Sequence, residues 1–214
     1  MNAMDTIAKQ KALADRVYAI LGDHYDILLA GGAPRDWHIG QEARDLDFYI
    51  FSVTPEGDFL DVAERLGVEL NPLGDKQYEE LMDGEPDLRG VFEGEMYGQK
   101  VQFMFVALNP LQFVKEKFDL SICKVWYKDG EICMDWEARL SLREKIVVMK
   151  DGFNRYADKL MMRQDSPWHT FAFLGSWKRA LDFMEQSFPG HNLHFNGAED
   201  EIDLPHPQAN EVAF

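Results

Sequence analysis

Residues 27–50 read ILLAGGAPRDWHIGQEARDLDFYI, and no other stretch of the chain restricts its fold as tightly. A short apolar run stops at Gly31-Gly32. Pro34-Arg35-Asp36 has the make-up of a helix start, and Asp45-Leu46-Asp47 opens a second apolar run. That order predicts strand, glycine turn, short helix and strand. Successive side chains on a strand point to opposite faces, so Asp45 and Asp47 share one face while Leu46, Phe48 and Ile50 share the other.

Two carboxylates held side by side repel each other unless a cation lies between them. Their hard oxygens suit Mg²⁺, with Mn²⁺ as a substitute. Two such ions about 3.5–4 Å apart serve an in-line phosphoryl displacement. Glycines without Cβ let backbone N–H groups approach a phosphate, and the positive end of the following helix points the same way. Pro34 suits a first helical turn, where no N–H is required. Arg35 can make a forked contact with a phosphate. Each piece taken alone has a bland reading: a solvated strand end, a simple turn, a surface ion pair. Their succession in this order points to a nucleotidyltransferase that holds a nucleoside triphosphate (NTP) and two metal ions.

The segment resembles the head of the class II CCA-adding enzymes and bacterial poly(A) polymerases, within the polymerase-β-like nucleotidyltransferases. The matching residues are Gly31, Gly32, Arg35, Asp36, Gly40, Asp45 and Asp47, with Pro34 where that family usually has Val. A second family block, R-R-D-F-T-I-N-A, is echoed by Lys117-Phe118-Asp119-Leu120-Ser121-Ile122-Cys123-Lys124. A hairpin pattern with Asp129-Gly130 and Asp135 follows, then Leu140-Ser141-Leu142-Arg143, so the resemblance covers roughly residues 25–150.

The resemblance implies an α+β fold: a polymerase-β-like nucleotidyltransferase head, with a small mixed sheet and helices on one face, plus a short C-terminal helical neck. It implies that Asp45 and Asp47 are catalytic and hold two Mg²⁺ ions, and that Gly31, Gly32, Arg35 and Lys124 contact the nucleotide. Asp36 would brace the loop. Asp119 would be a further catalytic carboxylate, its alternative being a cap at a helix start. Arg155, Asp158 and Arg163 are the nearest counterparts of the neck residues that read the incoming base. Two residues depart from the pattern. Phe118 stands where the family has Arg, with Lys117 and Lys124 as nearby cations. Gln102 stands where many relatives in the wider superfamily carry a third carboxylate. The chain is too short for the family's full body and its tRNA-gripping tail, and its size suits a compact, phage-like enzyme.

Charge limits the partners. A formal net charge of −16 opposes broad, non-specific nucleic-acid binding, which depends on releasing counterions from phosphates. The acidic residues concentrate at 56–96 and 199–211, whereas Arg139, Arg143, Lys145, Lys150, Arg155, Lys159 and Arg163 form a basic run. That run reads equally as an RNA-binding face or a solvated helix face. Cys123 and Cys133 have no metal-ligand spacing and read as thiols of a reducing cytoplasm. No apolar run is long enough to span a bilayer, and no leader is expected. His191 and His194 read as part of a polar loop.

The expected organisation is a head over 1–139, a helical neck over 140–194 and a poorly ordered acidic tail over 195–214. Within it, Thr6–Leu21 reads as an amphipathic helix, Tyr25–Ala30 and Leu46–Val53 as strands, and Gly57–Leu66 as a helix. Residues 68–90 read as a surface loop. Val91–Glu95 with Gln99–Val106, and Ile122–Tyr127 with Glu131–Met134, read as hairpins, with Leu111–Lys117 helical between them. Phe153–Arg163 and 167–188 read as neck helices. The function expected is template-independent transfer of NMP from NTP to an acceptor hydroxyl, foremost the 3′ end of tRNA or another RNA. Three alternatives stand beside it: transfer to a protein or small molecule, a non-catalytic nucleotide- or RNA-binding protein on this fold, and a plain interaction module.

Overall fold

The computed structural model describes residues 3–73, 86–118, 121–144, 146–149, 170–173, 196–197 and 200–201. The chain divides into two units, the first comprising residues 1–118 and 123–134 and the second residues 119–122 and 135–214.

The first unit is built on a seven-stranded mixed sheet. In chain order its elements are α1 (Ala3–Leu21), β1 (Ile27–Ala30), α2 (Gly32–His38), β2 (Asp45–Phe51), α3 (Pro55–Leu66), β3 (Asn71–Pro72), β4 (Leu88–Met96), β5 (Gln99–Val106), α4 (Pro110–Lys117), β6 (Val125–Lys128) and β7 (Glu131–Met134). The strand order is β3-β4-β5-β2-β1-β6-β7. All neighbours are antiparallel except β2 and β5, which run parallel with Asp45 opposite Lys100 and Phe48 opposite Phe103.

One face of this sheet carries the main core. Leu46, Phe48 and Ile50 of β2 and Val101, Phe103 and Phe105 of β5 are buried there, as their period-2 spacing requires. Phe48 and Phe103, register partners, stack at 5.3 Å between centroids. Ile7, Leu13, Ala14, Val17 and Leu21 of α1 recur at helical spacing and close over the same face with Trp37 of α2 and Val62 of α3. The sequence gives α3 clear ends: Pro55 at its first turn with Glu56 and Asp58 close behind, and Gly67 in the left-handed region at its C-cap.

The opposite face is divided. Toward the ends of β2 and β5, Tyr49, Met104 and Val106 pack with Val91 of β4, and α4 covers them through Phe113. Asn109 starts that helix, its side-chain oxygen accepting from the N–H of Leu111 and Gln112. Three helices therefore share one face while α4 lies against the other. Residues 68–90, read as a loop, contribute β3 and the start of β4, with an irregularity between Leu88 and Gly90.

The second unit holds a helix, α5 (Trp136–Glu144), whose start agrees with the Asp135 side chain accepting from the Glu137 N–H at 3.2 Å. It also holds two strand pairs, β8 (Ile146–Met149) parallel to β9 (Thr170–Phe173) and β10 (Asn196–Gly197) antiparallel to β11 (Asp200–Glu201). Here the structure corrects the reading of 167–188 as one helix. Thr170–Phe173 is a strand, and the Thr-Phe-Ala-Phe run suits that state because β-branched and aromatic side chains fit a pleated surface. The helix read over 153–163 lies outside the described residues. No helix among the described residues is long and apolar enough to cross a membrane.

Candidate active site

Asp45 and Asp47 stand at the start of β2, both half-buried, alternating with the fully buried Leu46 and Phe48. They lie on the divided face, on the same side of β2 as Tyr49 and nearer the start of the strand. The antiparallel register pairs Leu29 of β1 with Phe48, so the turn after Ala30 arrives beside Asp47. Gly31 occupies that turn with φ 92° and ψ −129°, a conformation that strains any residue with a side chain. Its N–H donates to Val125 O at 2.8 Å, which ties the turn to β6. A Cβ placed on Gly31 would stand 4.0 Å from Asp47 Oδ2 and 3.6 Å from Phe118 Cε2. The missing side chain thus keeps a cradle open between a carboxylate and an aromatic wall.

This donor set fits a hard divalent cation: two carboxylates from one strand face, with backbone rather than side chain in front of them. Oδ1 of Asp47 is buried and takes no hydrogen bond among the described residues, although the carboxylate has other interactions within the protein. Among the described residues no group of three or more His, Cys, Asp or Glu side chains is gathered as a metal site. Asp119, the expected further carboxylate, and Arg155, Asp158 and Arg163, the expected base-reading residues, lie outside the described residues.

Gly32 opens α2 directly after the turn. Arg35, on its next turn, is only 4 % exposed. Its Nε and Nη2 donate to Asp36 Oδ1 at 2.8 and 2.7 Å, and its Nη1 reaches Cys123 Sγ at 3.5 Å. The guanidinium is thereby spread over two groups of the protein behind the glycine turn. Lys124 is buried at the head of β6, one residue before the carbonyl that receives Gly31. Lys117 pairs with Asp87 at 2.6 Å. Phe118, the residue at the family's Arg position, turns its ring onto Tyr49 and Phe113 and supplies apolar surface next to Gly31.

Two residues absent from the sequence reading hold the approach to Asp45. Gln10 sits in the buried stripe of α1, and its amide makes four hydrogen bonds. Oε1 accepts from Trp37 Nε1 at 2.8 Å and Ala43 N at 3.0 Å, while Nε2 donates to Ala43 O and Gln99 Oε1, each at 2.7 Å. Gln99 Nε2 in turn donates to Arg44 O at 2.9 Å. The two glutamines clamp Ala43-Arg44, the backbone that leads into Asp45. The available signal was a polar residue on an otherwise apolar helix face, where burial requires satisfied hydrogen bonds.

A cavity of about 740 Å³ opens at the other end of β1, lined by Asp15, Tyr18, Tyr25, Asp26, Lys128 and Asp129 among others. Tyr18 explains it. Its hydroxyl donates to Tyr127 O and accepts from Leu29 N at 2.7 Å, standing between strands β1 and β6. Burial pushes the Tyr18 phenol well above its ordinary value. Burial, then the hydrogen bond to Asp15 at 2.9 Å, pushes Tyr127 up to about 12. The carboxylate pair and the glycine turn stand at the opposite end of β1 from this cavity.

No protein-family model matches this chain, and no curated protein matches it. Solved structures do. A tRNA-processing enzyme in an apo form aligns over 82 % of this chain and 46 % of its own, with 16 % identity and a TM-score of 0.51. A CCA-adding enzyme in complex with CTP aligns over 87 % of this chain and 46 % of its own, with 15 % identity and a TM-score of 0.52. The fold is therefore one that CCA-adding enzymes share, and the chain spans a little under half the length of those two structures.

Proposed function

We propose, from this shared fold and the carboxylate pair, that the protein is a metal-dependent nucleotidyltransferase that transfers NMP from an NTP to an acceptor hydroxyl. The acceptor class we favour is the 3′ end of RNA, tRNA foremost. The single observation that carries the reading is the placement of the Gly31 turn beside Asp47, on the strand face that also carries Asp45. Mg²⁺ ions bound there would supply the positive charge that activates the acceptor hydroxyl and offsets the charge on departing pyrophosphate.

The residues themselves do the rest. Asp45 and Asp47 hold the cations on one face. Gly31 and Gly32 offer backbone N–H groups to the triphosphate without a side chain in the way. Arg35, anchored by Asp36 and Cys123, holds the turn at its position and adds positive charge behind it. Lys124 contributes a second buried cation at the same turn, offsetting phosphate charge. Phe118 gives the site an apolar side that excludes water from the reacting groups. Asp119 is proposed as a further carboxylate, and Arg155, Asp158 and Arg163 as base-reading residues.

The test is incubation with Mg²⁺, each labelled NTP in turn, and tRNA or a short RNA, with Asp45→Ala as control. Extended RNA that disappears in the variant is the expected result. The net charge of −16 favours a second acceptor class, a protein or small molecule. Label that appears on an added protein or small molecule and never on RNA would select it. Transfer by Asp45→Ala at the wild-type rate would sink the site assignment.

A further inference from the structure

We infer that Glu93 is a positioning residue: it draws the Lys100 ammonium away from Asp45 and so keeps the carboxylate pair available to a divalent cation. The inference rests on the metal reading proposed above.

The sheet register brings these groups together. Across the parallel β2–β5 pair, Asp45 lies opposite Lys100 and Asp47 opposite Gln102. Across the antiparallel β5–β4 pair, Lys100 lies opposite Glu95 and Gln102 opposite Glu93. Paired residues of neighbouring strands share a face, so two rows cross this face: Asp45, Lys100, Glu95 and Asp47, Gln102, Glu93. Lys100 therefore stands one strand spacing, about 4.8 Å, from the first carboxylate of the site.

A lysine in that position competes with a metal ion. Its flexible stem lets the ammonium reach Asp45, and each such pairing cancels charge that a cation needs. The structure shows the ammonium going elsewhere. Lys100 Nζ lies 2.6 Å from Glu93 Oε2, diagonally across the face, and not beside its register partner Glu95. Gln102 Nε2 donates to the same Oε2 at 3.3 Å. The neutral amide thus aims Glu93 at the lysine, in the row that runs out from Asp47. The hydrogen bond from Lys100 and then that from Gln102 hold the Glu93 carboxyl below its usual range, so it stays charged and keeps its hold at neutral pH. Such a restraint relieves the competition between the lysine and a cation at the carboxylate pair.

Mn²⁺, which gives an electron paramagnetic resonance signal when free, reads the site directly on the full chain without turnover. Wild type, Glu93→Gln, Lys100→Met and the double variant are titrated with Mn²⁺ alone. Glu93→Gln is expected to weaken binding roughly fivefold, the scale of one unit charge near a solvated site. The double variant is expected to return to wild-type affinity, and Lys100→Met to bind at least as tightly as wild type. An ion pair that merely stabilises the sheet would make Lys100→Met as harmful as Glu93→Gln, and that result overturns the inference. So does unchanged affinity in Glu93→Gln. A wild-type protein that binds no Mn²⁺ overturns the metal reading itself and takes the inference with it, whereas the first two outcomes leave the metal reading standing.

Discussion

The divided face of the sheet sets two solutions side by side on the same three strands. At one end Tyr49, Met104 and Val91 meet Phe113 of α4 and are sealed. At the other, two residues earlier on β2 and on β5, the side chains are Asp47 and Gln102. The backbone is the same ladder in both places. What differs between them is the side-chain chemistry, apolar at one end and polar at the other. Phe113 packs on the apolar end, whereas the carboxylate end sets two acidic side chains on one strand face, where like charges repel.

Changes at the two ends should therefore separate activity from stability. The largest expected effect is at the carboxylate end. Asp45→Asn or Asp47→Asn should lower nucleotide transfer on the order of 10⁴-fold, while the melting temperature stays level or rises as repulsion is relieved. Rate assays paired with thermal unfolding check this, and a large fall in melting temperature would erase the contrast. Phe113→Ala at the covered end should do the reverse. It should cost about 3–5 kcal/mol in urea unfolding, with Mn²⁺ affinity of the folded protein unchanged.

Gln10→Leu tests how the carboxylate end is held. It strips partners from the Trp37 N–H, both backbone groups of Ala43 and Gln99, so about 2–3 kcal/mol should be lost. Mn²⁺ affinity should fall with it, because Asp45 follows the clamped segment. Gly31→Ala should cost less stability, about 1–2 kcal/mol for an L residue at positive φ, yet still reduce transfer, since the methyl group would face Asp47. The smallest effect lies away from both ends. The Tyr127 phenol is raised from 10.0 to about 12 in the folded state, so the stability it contributes is complete below pH 10 and is lost as the pH rises through 12. Tyr127→Phe should flatten that part of the alkaline unfolding curve.

Much of this was legible because it is periodic or local. The alternation along Asp45–Phe51 fixed which side chains face the core, and the apolar stripe of α1 and the Asp129-Gly130 turn appear where their spacing puts them. What escaped depends on partners distant in sequence. Gln10 acts on a backbone segment 33 residues away, and Gln99 acts on Arg44 from 55 residues away. The start of β4 was masked by its charged flank and by Gly90, where the pairing shifts register. Phe171 and Leu174, three residues apart, mimic a helix stripe, yet Phe171 belongs to a strand that pairs in parallel with Ile146–Met149. Arg35 was legible as a residue of the glycine turn, but its anchoring by Cys123 was not, because a thiol 88 residues away carries no signal of its partner.

The single parallel pairing in the sheet also orders events in time. The antiparallel β4–β5 hairpin closes through the two-residue turn Tyr97-Gly98, a fast and local step. Joining β5 to β2 instead brings Asp45 to Lys100 across roughly 55 residues of intervening chain, a slow closure that must be made before its contacts reward it. The three-strand face carrying Asp45, Asp47, Gln102 and Glu93 exists only after that step. A folding intermediate with its helices and hairpins formed but this seam unzipped should be compact and fail to bind metal, and recovery of Mn²⁺ binding during refolding should report closure of the β2–β5 pairing.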